Sequence, residues 1–123
     1  MDGVLCWNSL DKALFRPYKL HEYYAKCSAT GYAERFWMYI ITGRKEHFRR
    51  VTERWLSDNG VRYGKLVMFP NKQKKNNRSL ARFKAEKIKT FRIGVFYEDD
   101  LRIVKYLKMM CQNTLVVQVP MET

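Results

Sequence analysis

Three short polar segments of the sequence carry the residue types that phosphate chemistry requires. Thr42-Gly43-Arg44 and Glu98-Asp99-Asp100 each follow an apolar run, and Asp2-Gly3-Val4-Leu5 lies at the amino end. A hydroxyl beside free backbone amides can hold a phosphate oxygen. Adjacent carboxylates suit a hard cation such as Mg²⁺, and a lysine between the runs, Lys84 or Lys87, can neutralise charge. Together the segments indicate a Mg²⁺-assisted phosphoryl-transfer site.

Each segment also has a purely structural interpretation. Thr-Gly-Arg after a strand is common as a turn and helix cap, and Glu98-Asp99-Asp100 can be a favourable acidic start of a helix. Lys84 is one of many lysines in the chain. The order of the parts, each at an expected strand end, favours the chemical interpretation.

Apolar runs and helical patterns alternate along most of the chain. The predicted strands are 36–41, which reads as buried on both faces, 66–69, 93–97 and 114–119. The predicted helices are one that stops at Asn59-Gly60, one capped by Ser79 and one that starts at Leu101. This alternation is typical of a parallel α/β sheet with right-handed crossovers, in which ligands bind beyond the carboxyl ends of the strands.

The amino-terminal third fits this pattern less well, because its helical pattern has no strand before it. The apolar positions of that pattern are Leu20, Tyr23, Tyr24 and Cys27. We find no internal repeat and no linker, and a chain of 123 residues is the length of one domain. The prediction is therefore a single domain over residues 1–123.

Composition narrows the class of protein. No stretch reaches the roughly 18 apolar residues of a membrane span, and the amino end lacks the basic and apolar regions of a signal peptide. Three scattered cysteines argue against a disulfide framework and a CxxC metal site, and two histidines exclude a site built on several histidines. We therefore expect a cytoplasmic protein in a reducing compartment, without a membrane partner.

The charge favours polyanionic partners. Lys and Arg outnumber Asp and Glu by 24 − 12 = +12, so nucleic acid is the first expectation. A polar segment over residues 71–78 can grip phosphates through Lys72, Lys74, Lys75 and Arg78. The same segment can equally be a solvated surface loop. A non-catalytic, basic nucleic-acid-binding protein is therefore the alternative to an enzyme.

The ordered motifs resemble the haloacid dehalogenase (HAD) superfamily over nearly the whole chain. They are Asp-Gly-Val-Leu at residues 2–5, Ile-Ile-Thr-Gly-Arg at 40–44, Lys84, and Phe-Tyr-Glu-Asp-Asp at 96–100. Thr-Gly-Arg with a downstream Phe-Lys and a Tyr-Glu-Asp signature is more narrowly similar to the HAD domains of multi-enzyme RNA repair proteins. The resemblance implies a Rossmann-like three-layer sandwich with a mainly parallel sheet.

The resemblance also implies roles for residues on the phosphate side of the site. Asp2 matches the second aspartate of the Asp-x-Asp-Gly motif, the acid/base that also gives Mg²⁺ a backbone carbonyl. Thr42, with Gly43, holds the transferring phosphoryl group. Lys84, or less closely Lys87, offsets the charge of nucleophile and phosphate.

On the metal side, the resemblance makes Glu98 and Asp99 the acidic pair that reaches Mg²⁺ directly or through water. The implied activity is a Mg²⁺-dependent phosphohydrolase that acts on a phosphorylated substrate. The basic segment suggests that this substrate is a nucleotide or the phosphate end of an RNA or DNA.

The family's nucleophile is an aspartate two positions before Asp2. In this sequence only Met1 precedes Asp2, so the position of that aspartate would lie directly before Met1. We therefore expect a natural protein that is longer at the amino end, with a central strand that carries this aspartate. Without it the chain should form no aspartyl-phosphate and be inactive, and a strand from a partner chain can complete the sheet.

Overall fold

The computed structural model describes residues 1, 2, 4, 5, 24 and 28–119. Contacts divide the chain into two compact units, a first of Met1–Asn71 and a second of Lys72–Met121. The described helices and strands are β1 Phe36–Lys45, α1 Arg49–Asp58, β2 Arg62–Phe69, α2 Asn77–Thr90, β3 Val95–Glu98, α3 Leu101–Met110 and β4 Leu115–Gln118. Each unit is therefore built around one strand-helix-strand sequence.

In the first unit, β1 and β2 pair in parallel, from Phe36 opposite Arg62 to Lys45 opposite Phe69. The strand prediction stopped too early, because pairing continues past Ile41 and includes Thr42 before the register shifts. The expectation of a run buried on both faces is wrong for its first half. Phe36 and Met38 are 56% and 62% exposed, and the core of this strand begins at Ile40.

The helix between these strands follows its sequence signals. Trp55 and Leu56 of α1 are buried, and Gly60 after the helix has a φ of 66°. This left-handed conformation favours glycine, so the predicted stop at Asn59-Gly60 is confirmed. Close packing of the strands also requires a glycine, since a Cβ added at Gly64 would lie 2.7 Å from the Met38 carbonyl oxygen.

In the second unit, α2 begins earlier than predicted because Asn76, not Ser79, is its N-cap. The Asn76 side chain accepts a hydrogen bond from Ser79 N, and Ser79 Oγ accepts one from Asn76 N. This reciprocal capping box satisfies two amides that the helix start leaves free. The buried face of α2 consists of Ala81, Phe83, Lys84, Ala85 and Ile88.

The rest of the second unit is a parallel β3–α3–β4 arrangement. Val95 pairs with Leu115 and Glu98 with Gln118, so Glu98 is the last residue of its strand rather than the first after it. Asp100 caps α3, because its carboxylate accepts a hydrogen bond from Arg102 N. Ile103, Val104 and Leu107 of α3 are buried.

The α/β class and the parallel pairing are confirmed. The described strands form two two-stranded sheets, β1–β2 and β3–β4. The three-layer HAD-like sandwich, its missing central strand and the single domain over 1–123 stay predictions. Of the predicted amino-terminal helix only Tyr24 is described, as a buried helical residue, and the others lie outside the described residues.

No helix among the described residues is long and apolar enough to span a membrane.

Candidate functional site

A buried ion pair joins α2 to the carboxyl end of β3 in the second unit. Lys84 Nζ lies 2.5 Å from Glu98 Oε1, and the two side chains are only 8% and 4% exposed. The other carboxylate oxygen of Glu98 accepts hydrogen bonds from the backbone amides of Asp99 and Asp100, at 3.0 and 3.3 Å. Every charge that is removed from water here therefore has a partner, as burial of charge demands.

The neighbouring carboxyl group of Asp99 is also buried, and the two acids have opposite pKa shifts. Burial raises the pKa of Glu98, but the Lys84 ammonium outweighs this effect and holds that pKa below its usual value. Burial and the Glu98 carboxylate raise the pKa of Asp99 to about 6. Lys84 thus forms the ion pair with Glu98, while Asp99 gives up its proton less readily than a free aspartic acid.

This pair of acids fits the protein's share of a Mg²⁺ site. Mg²⁺ prefers hard oxygen ligands and is usually bound by one or two carboxylates, completed by waters and substrate phosphates. A carboxyl whose pKa is raised by a neighbouring carboxylate gains from a cation that neutralises both. Among the described residues, no group of three or more His, Cys, Asp or Glu side chains is placed to hold a metal ion.

In the first unit, Arg44 is fully buried and binds Asp2 through both arms of its guanidinium group. Nε lies 3.2 Å from Asp2 Oδ2, and Nη2 lies 2.8 Å from Oδ1. Nη1 donates to Thr52 Oγ1 at 3.1 Å, and the guanidinium lies 3.9 Å from the centre of the Tyr24 ring. This bidentate geometry fixes the orientation of the Asp2 carboxylate.

Thr42 lies beside this network at a buried position of β1. Its Oγ1 accepts a hydrogen bond from Arg44 N at 3.1 Å, and the side chain is 1% exposed. Within the described part of the chain, no residue accepts a hydrogen bond from the Thr42 hydroxyl. Gly43 follows at a half-buried position.

The structure thus brings the predicted site residues together in two groups. Asp2 and Thr42 both bind Arg44 in the first unit, and Lys84, Glu98 and Asp99 form one cluster in the second. Lys84 is the lysine that pairs with the motif acids. Lys87 instead places its ammonium 5.7 Å from the ring centre of Phe83.

The predicted nucleic-acid residues are all on the surface. Residues 71–78 are exposed without a break, and they include Lys72, Lys74, Lys75 and Arg78. Ser79 Oγ donates a hydrogen bond to the Lys74 carbonyl at 2.8 Å. Part of this loop is therefore tied to the start of α2.

Arg44 and Thr52 are the site residues for which the sequence interpretation proposed no role. An arginine directly after an apolar strand was the available signal, because a cation next to a buried run needs an anionic partner. The residues around Arg44 do not indicate which acid is its partner, since Asp2 lies 42 positions away in the sequence.

No protein-family model, curated protein or solved structure matches the chain. The resemblance to the HAD superfamily therefore rests on the ordered motifs of the sequence.

Proposed function

We propose that the chain is a HAD-like, Mg²⁺-dependent phosphohydrolase domain that acts on the phosphate of a nucleotide or nucleic acid. The observation that carries the proposal is the buried cluster of Lys84, Glu98 and Asp99. A lysine and two adjacent acids at a strand end are the residues that the resemblance assigns to charge neutralisation and metal binding. Their burial and contacts are what such roles require.

In the second unit, Glu98 and Asp99 would hold the Mg²⁺ ion. The ion would supply Lewis-acid stabilisation of the charge on the phosphoryl group. Lys84 limits the repulsion between the two acids by holding Glu98 at 2.5 Å. It also supplies a fixed positive charge at the carboxyl end of β3.

In the first unit, the Thr42 hydroxyl would donate its free hydrogen to a phosphate oxygen. Asp2 would act as acid/base, and Arg44 is the positioning residue that fixes its carboxylate through two hydrogen bonds. A fixed carboxylate needs less reorganisation during proton transfer.

Metal binding by isothermal titration calorimetry tests this proposal without requiring turnover. Asp99→Asn should weaken Mg²⁺ binding by about tenfold or more, because it removes a charged oxygen ligand. Asp58→Asn is the matched control, since Asp58 is an exposed carboxylate on α1. Equal Mg²⁺ affinity of the Asp99→Asn variant and the unsubstituted protein would refute the metal site.

Phosphate binding extends the test to the first unit. In the presence of Mg²⁺, Thr42→Val should weaken the binding of inorganic phosphate, because valine keeps the shape of threonine without its hydroxyl donor. Thr52→Val is the control for loss of a buried hydroxyl, since among the described residues the Thr52 hydroxyl accepts its hydrogen bond from Arg44. Phosphate affinity that is the same in the Thr42→Val variant and the unsubstituted protein would rule out the role of Thr42.

Hydrolysis of p-nitrophenyl phosphate tests the expectation about the nucleophile. The 123-residue chain should release no p-nitrophenol, because the motif's first aspartate is not among its residues. A chain extended before Met1 by an apolar strand ending in Asp should gain activity that Asp99→Ala abolishes. Activity of the 123-residue chain that vanishes in Asp99→Ala would show that another residue is the nucleophile.

The basic loop favours a second candidate, a nucleic-acid-binding protein without catalysis. Four cations and no acidic residue lie in the exposed segment 71–78. In that case Lys74→Gln with Lys75→Gln should lower affinity for single-stranded RNA, while Thr42→Ala and Asp99→Ala leave it unchanged. Loss of RNA binding in the Asp99→Ala variant would instead link binding to the metal site.

A further inference from the structure

The second unit contains a cavity at the amino ends of β3 and β4, apart from the Lys84–Glu98 pair. Its volume is about 510 Å³, and its walls come from the last turn of α2, the last residue of α3 and the loops that follow these helices. Backbone hydrogen bonds tie the loops together, with Ile93 N donating to Ile88 O and Leu115 N to Gly94 O. The cavity is therefore formed in the protein without a ligand, and its size lies within the roughly 300–1,000 Å³ of small-molecule sites.

The lining of this cavity combines cations, amides and apolar groups. Lys89 and Arg92 contribute positive charge, Gln112 and Asn113 contribute amides, and Met110 contributes an apolar thioether. No aspartate or glutamate is among the lining residues. Within the described part of the chain, neither Lys89 nor Arg92 forms an ion pair, so both charges are available to a ligand.

The two helix ends at the cavity modify this charge but do not cancel it. The carboxyl ends of α2 and α3 each carry about half a negative charge from their free carbonyl groups. Two full positive charges from Lys89 and Arg92 exceed them, so an anionic group is still attracted. The carbonyl groups and the amides add hydrogen-bond acceptors and donors, which suit the mixed edge of a nucleobase.

A row of exposed cations on α2 leads to the cavity. Arg78, Arg82 and Lys89 lie on one face of the helix, with Glu86 as the acidic member of that face. Helical rise places Arg78 and Lys89 about 16 Å apart, and Lys89 belongs to both the row and the cavity. The opposite face of α2 is buried and includes Lys84, so the row is separate from the candidate metal site.

The chemistry of this row favours a nucleic acid over a lipid surface. Interfacial helices bind membranes by burying an apolar face, but the apolar face of α2 is packed in the second unit. A phosphate backbone needs only cations at intervals, with a place for an unstacked base where one is recognised. The cavity next to Lys89 provides that place.

We propose that the cavity binds one nucleotide of a single-stranded nucleic acid whose phosphate backbone follows the exposed cations of α2. The inference deepens the substrate class of the proposed function and does not depend on hydrolysis. Phosphate charge is met by Arg82, Lys89 and Arg92, and the base enters the cavity against Met110 and the two amides. A base held in this way contributes apolar contact with Met110 and hydrogen bonds with the amides, in addition to the attraction of the phosphate backbone.

Filling the cavity without changing charge tests the nucleotide site. A Cβ added at Gly94 meets no other atom within 4 Å, so Gly94→Leu places a side chain in the open space with no backbone clash. Gly31 has equally open space in the first unit, which makes Gly31→Leu the matched control. Fluorescence anisotropy with a labelled ten-nucleotide oligouridine should show about tenfold weaker binding for Gly94→Leu, because the base loses its hydrogen bonds in the cavity. Gly31→Leu should cause no change, and circular dichroism checks the folding of both variants.

Two double variants test whether the phosphate backbone of the nucleic acid follows α2. Arg82→Gln with Lys89→Gln removes two cations of the row, and Lys105→Gln with Lys108→Gln removes two exposed cations of α3. The α2 variant should reduce the magnitude of the slope of log K against log salt concentration by about 1.4, since each phosphate contact on a single strand contributes about 0.7 to this slope. The α3 variant should leave this slope close to that of the unsubstituted protein.

Three results would overturn the inference. They are equal binding by the two glycine variants, equal loss in the two double variants, and uridine 5′-monophosphate binding as tight as the ten-nucleotide strand. The last result would assign the cavity to a free nucleotide without a backbone path. Failure of Mg²⁺ binding in the calorimetric test would refute the phosphohydrolase proposal alone, because none of these variants alters Lys84, Glu98 or Asp99.

Discussion

The two units each contain a buried ion pair, and the pairs differ in how completely they are satisfied. In the first unit, Arg44 meets Asp2 in a bidentate contact and also binds Thr52 and the face of Tyr24. In the second unit, Lys84 meets Glu98, and the buried carboxyl of Asp99 lies beside them. The ion pair of the second unit therefore has a further buried acid beside it.

The two pairs therefore differ in their electrostatics. The guanidinium of Arg44 joins Asp2 to β1 and α1, and its planar donors fit a carboxylate in one geometry. The ammonium of Lys84 forms an ion pair with Glu98, and burial together with Glu98 raises the pKa of the neighbouring Asp99 carboxyl to about 6. Acids whose pKa is perturbed in this way are common at functional sites.

The largest expected effect comes from removing the cation of the less satisfied pair. Lys84→Met should lower the free energy of unfolding at pH 7 by about 3–5 kcal/mol, because it leaves Glu98 buried without its charge partner. Urea denaturation followed by circular dichroism measures the change. Lys87→Met on the same helix is the control and should cost well under half as much, since Lys87 is only partly buried.

A double variant sharpens this result. If the loss reflects an unpaired Glu98 rather than altered packing, Lys84→Met with Glu98→Gln should recover much of the stability. A double variant that is no more stable than Lys84→Met alone would contradict the ion-pair explanation.

Loss of the cation should cost somewhat less stability in the Arg44–Asp2 pair of the first unit. Arg44→Met should cost about 2–4 kcal/mol, because Asp2 is 16% exposed and can regain part of its hydration. Arg44→Lys keeps the charge but cannot make the bidentate contact, so it should fall between Arg44→Met and the unsubstituted protein. Urea denaturation of the three proteins measures this order, and an Arg44→Lys variant as stable as the unsubstituted protein would show that geometry contributes nothing.

The excess acid of the second unit makes stability depend on pH. Because the folded-state pKa of Asp99 lies above its usual value, the unfolded chain releases this proton first, and Asp99 destabilises the fold as pH rises from about 4 to 6. Asp99→Asn removes this cost and should raise the free energy of unfolding at pH 7.5 by about 2 kcal/mol. Urea titrations at pH 4 and 7.5 should show little difference between the two proteins at the lower pH, and a difference of the same size at both would contradict the assignment.

The smallest effect is expected from an ion pair outside both networks. Arg54 and Asp58 lie 3.9 Å apart on α1, with side chains 83% and 68% exposed. Arg54→Ala should change the free energy of unfolding by only about 0.3 kcal/mol, because water screens an exposed pair. The same urea assay checks it, and a loss above about 1 kcal/mol would show that burial is not what separates these pairs.

Local signals predicted the elements of the fold better than the contacts of the site. Gly60, Pro70 and Asp100 are residue types that end or begin a helix or strand through local backbone geometry. The observed elements end or begin within two residues of these positions. The α2 start was misplaced by three residues because Asn76 and Ser79 share the capping box, and either one alone is a plausible cap.

The site itself depends on contacts between distant residues. The motif order predicted that Lys84, Glu98 and Asp99 act together, and the structure places them together. The contact of Arg44 with Asp2 spans 42 positions, and no pattern within β1 identifies that acid. The exposure of Phe36 and Met38 is likewise set by what packs on the sheet and not by the apolar run itself.

Gly64 limits how far sequences with this fold can diverge. A side chain at this position would meet the Met38 carbonyl oxygen, which belongs to the backbone and cannot rotate away. The neighbouring exposed positions of β2, Arg62 and Lys65, carry no such restriction. Related chains that keep the β1–β2 pairing should therefore retain glycine at this position while the residues around it change.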